Sequence, residues 1–456
     1  MNKPLLVLAF GLLLWGTADA QEQSIQKDSS LLRHFQMGTI QGHVRSFYSS
    51  TYNKNSNTEY AYAVGGGLKF ISKPLYHLQF GLSGFMMYNV FSTDLTSLHP
   101  LAASANRYEL GLFDVTNPAN KSDMKRLEEL YIQYQKNELS ITLGKQLLNT
   151  PFINLQDGRM RPTEVQGLWG QFKNKKNKFY AGWLNQFSPG GTIAWFKTNS
   201  SIGVFSTGVN LDGTKSGYKN QLSTAGVALV GAEFGLTSTK KLQVWNQYVD
   251  NIFNSSLVQF DKSPTKSNPY YYGIQLIGQQ VVNKGGNEAV NKTYFNPSQS
   301  SFVFGGRIGK QVGHWDHSIN YTRITKQGRY LMPREWGRDP FYTFLQGERN
   351  EGMGDLSAYM LKSRFSASTI PLNLSLAAGY YQLADVKQFA MNKYGLPSYF
   401  QYNIDLRYAF SGFWKGWDTQ LTYFYKDAVG NTYNEAKYYI NKVDMGHVNF
   451  ILNFHF

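Results

Sequence analysis

The sequence predicts an all-β fold: a transmembrane antiparallel β-barrel of about 18 strands, with loops folded inward to constrict it. Three observations lead there. The stretch from Gly446 to Phe456 places Val448, Phe450, Leu452, Phe454 and Phe456 at every second position, with Asn449, Asn453 and His455 between them. The same alternation recurs along the chain with no helical period between segments. Composition agrees: 31 Tyr, 31 Phe and 43 Gly, no Cys, and no later stretch resembling a membrane helix. A period of two belongs to a strand whose faces meet different surroundings. A barrel in a bilayer supplies both, lipid outside and a wet lumen within.

The chain opens Met1-Asn2-Lys3, runs almost wholly apolar from Leu5 to Trp15, and reaches Ala18-Asp19-Ala20. Lys3, the apolar run and the small-residue site make a secretory signal peptide. The run is shorter than the roughly 20 residues a spanning helix needs. Residues 1–20 are therefore assigned to the signal and 21–456 to one barrel domain, since no linker or shift of composition divides them. Absent cysteine excludes a disulfide scaffold and a thiolate metal site.

After a polar lead at 21–35, Ile40, Gly42 and Val44 alternate with Gln41, His43 and Arg45. A polar loop is expected at 51–58. Tyr62, Val64, Gly66, Leu68 and Phe70 form the next lipid face, then Leu78, Phe80, Leu82, Met86 and Tyr88 after a short turn. A long loop follows at 89–126. Leu130, Ile132 and Tyr134 pair with Leu139, Ile141 and Leu143. Strands follow near 166–173, 178–187, 222–236 and 241–250, with loops at 147–165 and 188–220. The segment 254–261 is poorly patterned. It must nonetheless return inward, or the last strand would point the wrong way. Strands then fall near 271–281, 300–311, 315–325, 355–366, 372–382, 400–410, 416–425 and 446–456. Short turns alternate with long loops, as in outer-membrane barrels.

The net charge is +15. An exported chain has little access to nucleic acid, so the surplus points to anionic solutes, provided that it faces the lumen. Parity says that it does. Tyr402, Ile404, Leu406 and Tyr408 share one face, so Arg407 takes the other. An Arg toward lipid at mid-membrane costs roughly 2–4 kcal/mol. The same rule turns Arg45, Lys69, Arg307, Lys362 and Arg364 inward, while Arg323 shares parity with Ile319 and Tyr321 and belongs near a rim. A lumenal Arg either braces the wall by pairing with an acid such as Asp405 or offers bidentate contacts to a passing carboxylate.

Two loops carry apolar anchors that favour burial over water. The first holds Phe152, Ile153, Leu155 and Met160 with Arg159 and Arg161. The second holds Trp336 and Phe341 with Arg329, Arg334 and Arg338. They either constrict the lumen or pack as a lid over its mouth. Arg159-x-x-Pro162 followed by Gly167 resembles the third-loop signature of the OprD-type outer-membrane porins. Pro333-Arg334-Glu335-Trp336-Gly337-Arg338-Asp339-Pro340-Phe341 resembles their seventh-loop signature, and Asp250-Asn251-Ile252 before a short return strand is also similar. Arg161, directly before Pro162, is a departure.

The resemblance implies an 18-stranded barrel narrowed by those loops, with a ladder of basic residues guiding carboxylate-bearing solutes such as amino acids, organic acids and small peptides. It makes Arg159, Arg161, Arg334 and Arg338 the constriction candidates. Arg45, Arg307, Lys362, Arg364 and Arg407 are the ladder candidates, on parity alone. A terminal Phe456 resembles the signal read by the barrel-assembly machinery. The expected setting is the bacterial outer membrane, with lipid around a monomer or loose trimer, no nucleic acid and no cofactor.

The rivals are an outer-membrane lipase or protease and a non-conducting structural barrel. No Gly-x-Ser-x-Gly elbow appears, and no catalytic set is assigned. His314 and His317 have ligand-like spacing but sit beside Trp315 at a short turn, which favours an interfacial girdle over a metal site. A plugged transporter needs a domain before the barrel, and alternation starts by Ile40. The expected function is passive, selective diffusion of small anions.

Overall fold

A computed structural model describes residues 31–54, 56–155, 158–367 and 370–456. The expected signal peptide lies outside them. The strands of the wall are Thr39–Asn53, Glu59–Ile71, Leu78–Ser92, Met124–Lys136, Leu139–Gln146, Glu164–Lys173, Asn177–Ser188, Val227–Gly235, Lys240–Val249, Phe253–Lys262, Tyr270–Val281, Ser300–Val312, Trp315–Ile324, Leu356–Ser366, Leu372–Gln382, Tyr399–Ala409, Trp417–Ala428 and Met445–His455. These are eighteen. One further strand, the two residues Phe196–Lys197, pairs with Gln186 and Phe187 inside a loop.

Each wall strand pairs antiparallel with its sequence neighbours. The first pairs with the last from His43↔His455 to Asn53↔Met445, which closes the sheet. Closure leaves no unpaired edge, the condition for a sheet to cross lipid. The even count puts the start of the first wall strand and the end of the last at the short-turn end.

The outer face is an apolar belt. Side chains such as Ile132, Leu143, Leu168, Ile319 and Leu361 are about half exposed or more. A soluble monomer rarely exposes an apolar patch above a few hundred Å2. A belt encircling the barrel therefore faces lipid. At the short-turn rim, Phe413, Trp414, Trp417, Phe454 and Phe456 form a chain of ring contacts. His317 stacks on Trp315 and bonds Ser363 Oγ at 2.8 Å, while His314 lies edge-on to Phe365, a rim arrangement of aromatic rings.

The poorly patterned segment 254–261 is a full strand, Phe253–Lys262, paired along both edges. It follows a tight turn in which Asn251 adopts φ 60°. Several expected boundaries shift, and two of them show why. The first strand outlasts the loop expected at 51–58 because Thr51 and Asn53 face the interior, where polar side chains find partners: Thr51 with Glu109, Asn53 with Asn441. The strand expected from 222 begins at Val227. Before it, Ser223 N–H bonds Gly286 O and Ala225 N–H bonds the Asp250 carboxylate, so that backbone is held by neighbouring loops instead of the ladder.

The interior is largely filled by loops. Phe152, Ile153, Tyr330, Met332, Trp336, Phe341 and Leu345 pack against inward wall residues including Phe187, Leu229, Trp245, Leu257, Ile277, Val303 and Tyr381. A second cluster joins Leu110, Leu112, Phe113 and Met160 to Phe47, Phe85 and Met87 on the wall.

Candidate functional site

The loop 325–355 lies inside the barrel. Inward amides of the wall hold its backbone: Gln275 donates to Pro340 O at 2.9 Å, Gln279 to Leu331 O at 2.6 Å, and Gln401 to Gln346 O at 2.7 Å. Lys426 Nζ donates to Gly347 O at 2.5 Å and Tyr381 Oη to Thr343 O at 2.8 Å. These bonds satisfy carbonyls that water would otherwise serve.

The loop 147–163 interlocks with it. Asn154 Nδ2 donates to Arg338 O at 2.9 Å, and Arg338 N–H returns a bond to Asn154 Oδ1 at 3.0 Å. Thr163 Oγ1 donates to Glu335 O at 2.7 Å. The Glu335 carboxylate accepts the N–H groups of Gly203 and Phe205, and Trp336 Nε1 donates to Ser201 Oγ, which ties in the loop 189–226. Burial pushes the Glu335 carboxyl above its usual range.

The first long loop, expected at 89–126, spans 93–123 and also turns inward. Glu109 is fully buried and accepts bonds from Thr51 at 2.6 Å and Asn106 at 3.0 Å. Arg107 Nη1 donates to Asn441 O at 3.1 Å.

Between these loops and the wall lies a cavity of about 1070 Å3. Arg107, Arg159, Arg334, Arg338, Arg349 and Arg407 line it, joined by lysines including Lys219, Lys362, Lys393 and Lys442. Among the described residues, Glu348 and Asp405 are its acidic lining. It extends from Lys437, in the loop 429–444, to Arg407, two positions from the short-turn end of its strand. Burial holds the Glu348 carboxyl well above the usual range and lowers Lys442 to about 7, with Arg107 and Arg334 adding to the latter effect.

The structure therefore brings Arg159, Arg334, Arg338, Lys362 and Arg407 to one cavity. Arg334 Nε meets Glu351 Oε2 at 3.0 Å and Arg407 Nε meets Asp405 Oδ1 at 3.2 Å. The other candidates lie elsewhere. Arg161 forms a bidentate pair with Glu128, beside His43 Nδ1 at 3.1 Å. Arg45 donates to Arg159 O and Met160 O, which clamps the loop to the wall. Arg307 pairs with Asp261 at 2.7 Å. Arg364 pairs with Asp316 at 3.3 Å, at the short-turn end. Arg323 pairs with Asp355 at the opposite rim.

Glu128 reaches the interior through a bulge. Leu82 opposes Leu130 and Gly84 opposes Leu127, so Glu128 and Glu129 together face Ser83. Both carboxylates are buried, one bound to Arg161 and the other to Lys69 at 2.7 Å. A classic strand parity cannot deliver two adjacent inward residues; a bulge does.

The fold has solved counterparts. The barrel is similar in fold to those of Occ proteins. Pseudomonas aeruginosa OccK9 (OpdG) matches with a TM-score of 0.71 at 15% identity, covering 92% of this chain and 99% of that one. P. aeruginosa OpdK with vanillate matches at 0.67 and 12% identity, covering 93% and 99%. P. aeruginosa OccD3 (OpdP) matches at 0.67 and 11% identity, covering 92% and 91%. No protein-family model and no curated protein matches the chain. Identities this low carry the fold and leave function to the site.

Proposed function

We propose that this protein is a passive channel of the bacterial outer membrane for small anionic solutes, those bearing a carboxylate above all. The observation that carries the reading is the basic cavity inside a closed barrel. Six arginines line it, against an Asp405 already paired with Arg407 and a Glu348 whose carboxyl burial pushes up, disfavouring its charge. A row of guanidinium groups lowers the electrostatic barrier for an anion, and several weak sites let it step onward without being trapped. The inward loops supply the narrowing. Arg159, Arg334 and Arg338 stand at it, with Lys362 and Arg407 below them on the wall.

The likeness to OccK9, to OpdK with vanillate, and to a P. aeruginosa structure described as the outer membrane protein opdK supports the setting and the channel role. Lipid around the belt, the barrel-assembly machinery acting on the last strand, and a monomer or loose trimer complete the proposal. It needs no cofactor and no covalent chemistry.

Reversal potential in planar bilayers under a KCl gradient tests it. A potential on the chloride side of zero is expected. Cation selectivity would overturn the reading.

A further inference from the structure

Within the cavity, three arginines from three different loops stand out for how they are held. Arg107 comes from the loop 93–123, Arg159 from 147–163 and Arg334 from 325–355. Each guanidinium has an aromatic ring near one face: Tyr108 at 4.9 Å for Arg107, Phe205 at 4.5 Å for Arg159 and Tyr394 at 3.8 Å for Arg334. A ring against the face leaves a guanidinium its N–H edges, and those edges suit the paired oxygens of a carboxylate or phosphate.

Each is also tethered by one end. Arg107 bonds Asn441 O, Arg159 bonds Gly111 O at 2.9 Å, and Arg334 bonds Glu351. Arg159 fits between two glycines. A Cβ on either Gly111 or Gly191 would stand 2.5 Å from its Nη1. Gly111 lies on the same loop as Arg107, so this contact fixes the two loops to each other.

The three are close enough to repel. Burial, then Arg107 and Arg334, lowers Arg159 to about 10 against the opposing pull of Glu335. Among the described residues, Arg107 and Arg159 meet no carboxylate at ion-pair distance. Glu351, the partner of Arg334, also faces Lys393 at 3.9 Å and accepts a bond from Tyr394. Glu351 thus serves Arg334, Lys393 and Tyr394 together, and Glu335 acts on Arg159 without reaching ion-pair distance.

We propose that Arg107, Arg159 and Arg334 form a binding site for a solute carrying two negative charges, with Arg107 as the residue that selects the second charge. This rests on the anion-channel reading. A monoanion satisfies at most one or two of the three edges, whereas a dianion bridges loops whose guanidiniums otherwise repel one another. The shared chemistry is a dianion; a dicarboxylate and a phosphate monoester both supply it.

Block of single-channel chloride current at pH 7 tests the site, with succinate, propionate and inorganic phosphate as probes. In the wild type, succinate is expected to block at about tenfold lower concentration than propionate. Phosphate blocking with succinate extends the site to both sources, and phosphate blocking no better than propionate restricts it to dicarboxylates. Arg107→Gln should weaken block by both probes but succinate's by far the more, removing most of its advantage over propionate. Arg107→Lys, which keeps the charge, should retain part of it. Wild-type succinate blocking no better than propionate overturns the proposal without any variant. So does an Arg107→Gln channel of normal conductance with an unchanged succinate-to-propionate ratio. In either case chloride selectivity would leave the channel reading standing, whereas cation selectivity overturns both.

Discussion

The fate of each arginine is decided by what stands within reach of its edges. Arg161, Arg307 and Arg364 meet carboxylates of the wall and brace it, while Arg45 spends its donors on loop carbonyls. Parity shows the direction of a strand side chain and is silent about its partner, so bracing and solute contact stayed open alternatives for Arg45, Arg307 and Arg364, and the loop resemblance was as silent about the partner of Arg161. Arg107 was not legible at all, because its loop carries no motif and its placement depends on Asn441, more than 300 residues away. Buried acids matter as much. Asp339 accepts the N–H groups of Asn350 and Glu351, and burial, with Glu351 adding to it, pushes its carboxyl up to about 7. The packed loop therefore prefers the protonated form, whereas the released loop loses that proton near the ordinary carboxylate value, about 4. The resulting stabilisation is complete below about pH 4 and is lost as pH rises through about 7. Amide exchange across 340–351, corrected for intrinsic rates, should be about tenfold or more slower at pH 5.5 than at pH 8. Asp339→Asn should flatten that difference; an unchanged difference in the variant would remove Asp339 from the cause.

Among elements, the strands were readable and the loops only partly so. A strand facing lipid and lumen must alternate, and the pattern survives in Tyr402, Ile404, Phe302 and Phe304, all outward. The strand Phe253–Lys262 was found by counting directions, since a closed antiparallel wall admits no other parity. The bulge at Glu128 and Glu129 breaks alternation locally and so escapes a period-of-two search. The apolar anchors of 147–163 and 325–355 announced burial, but the joint between the loops is polar. It turns on Asn154 and Gly337, which sits at φ 150°. A Cβ on Gly337 would stand 2.7 Å from Asn154 Oδ1 and 3.0 Å from its backbone N. Gly337→Ala should cost about 1–2 kcal/mol of loop docking through the backbone alone, with the clash added. The barrel wall, which holds none of this joint, should keep its thermal midpoint. Conductance should rise and the current become noisier; a quiet, wild-type current would show that the two loops do not depend on each other.

At the scale of the whole molecule, one seam decides whether the wall exists. The first and last strands pair across the greatest sequence separation of any two wall strands, so their pairing carries the largest loop-closure entropy in the wall. The seam is reinforced past the last strand residue. Gly42 N–H donates to Phe456 O at 2.8 Å, and Phe456 N–H returns a bond to Gly42 O at 3.1 Å. The Phe456 ring lies directly over Gly42, where a Cβ would be 2.0 Å from the ring, and it stacks on Phe454 at 5.5 Å, which stacks on Trp417 at 4.8 Å. A ring covering a glycine shields ladder hydrogen bonds that an edge glycine leaves open to water. Two variants separate the ring from the backbone. Phe456→Ala removes the cover and keeps both hydrogen bonds. Gly42→Ala keeps the ring but drives it away. Each should cost about 1–2 kcal/mol, since the ring is itself part-exposed. Because both act on one contact, the double variant should cost little more than either alone. Urea midpoints in detergent, followed by the loss of the fast-migrating folded band on gels, give the three values. Full additivity would mean that Phe456 closes the barrel through its backbone and that its ring serves something other than this seam.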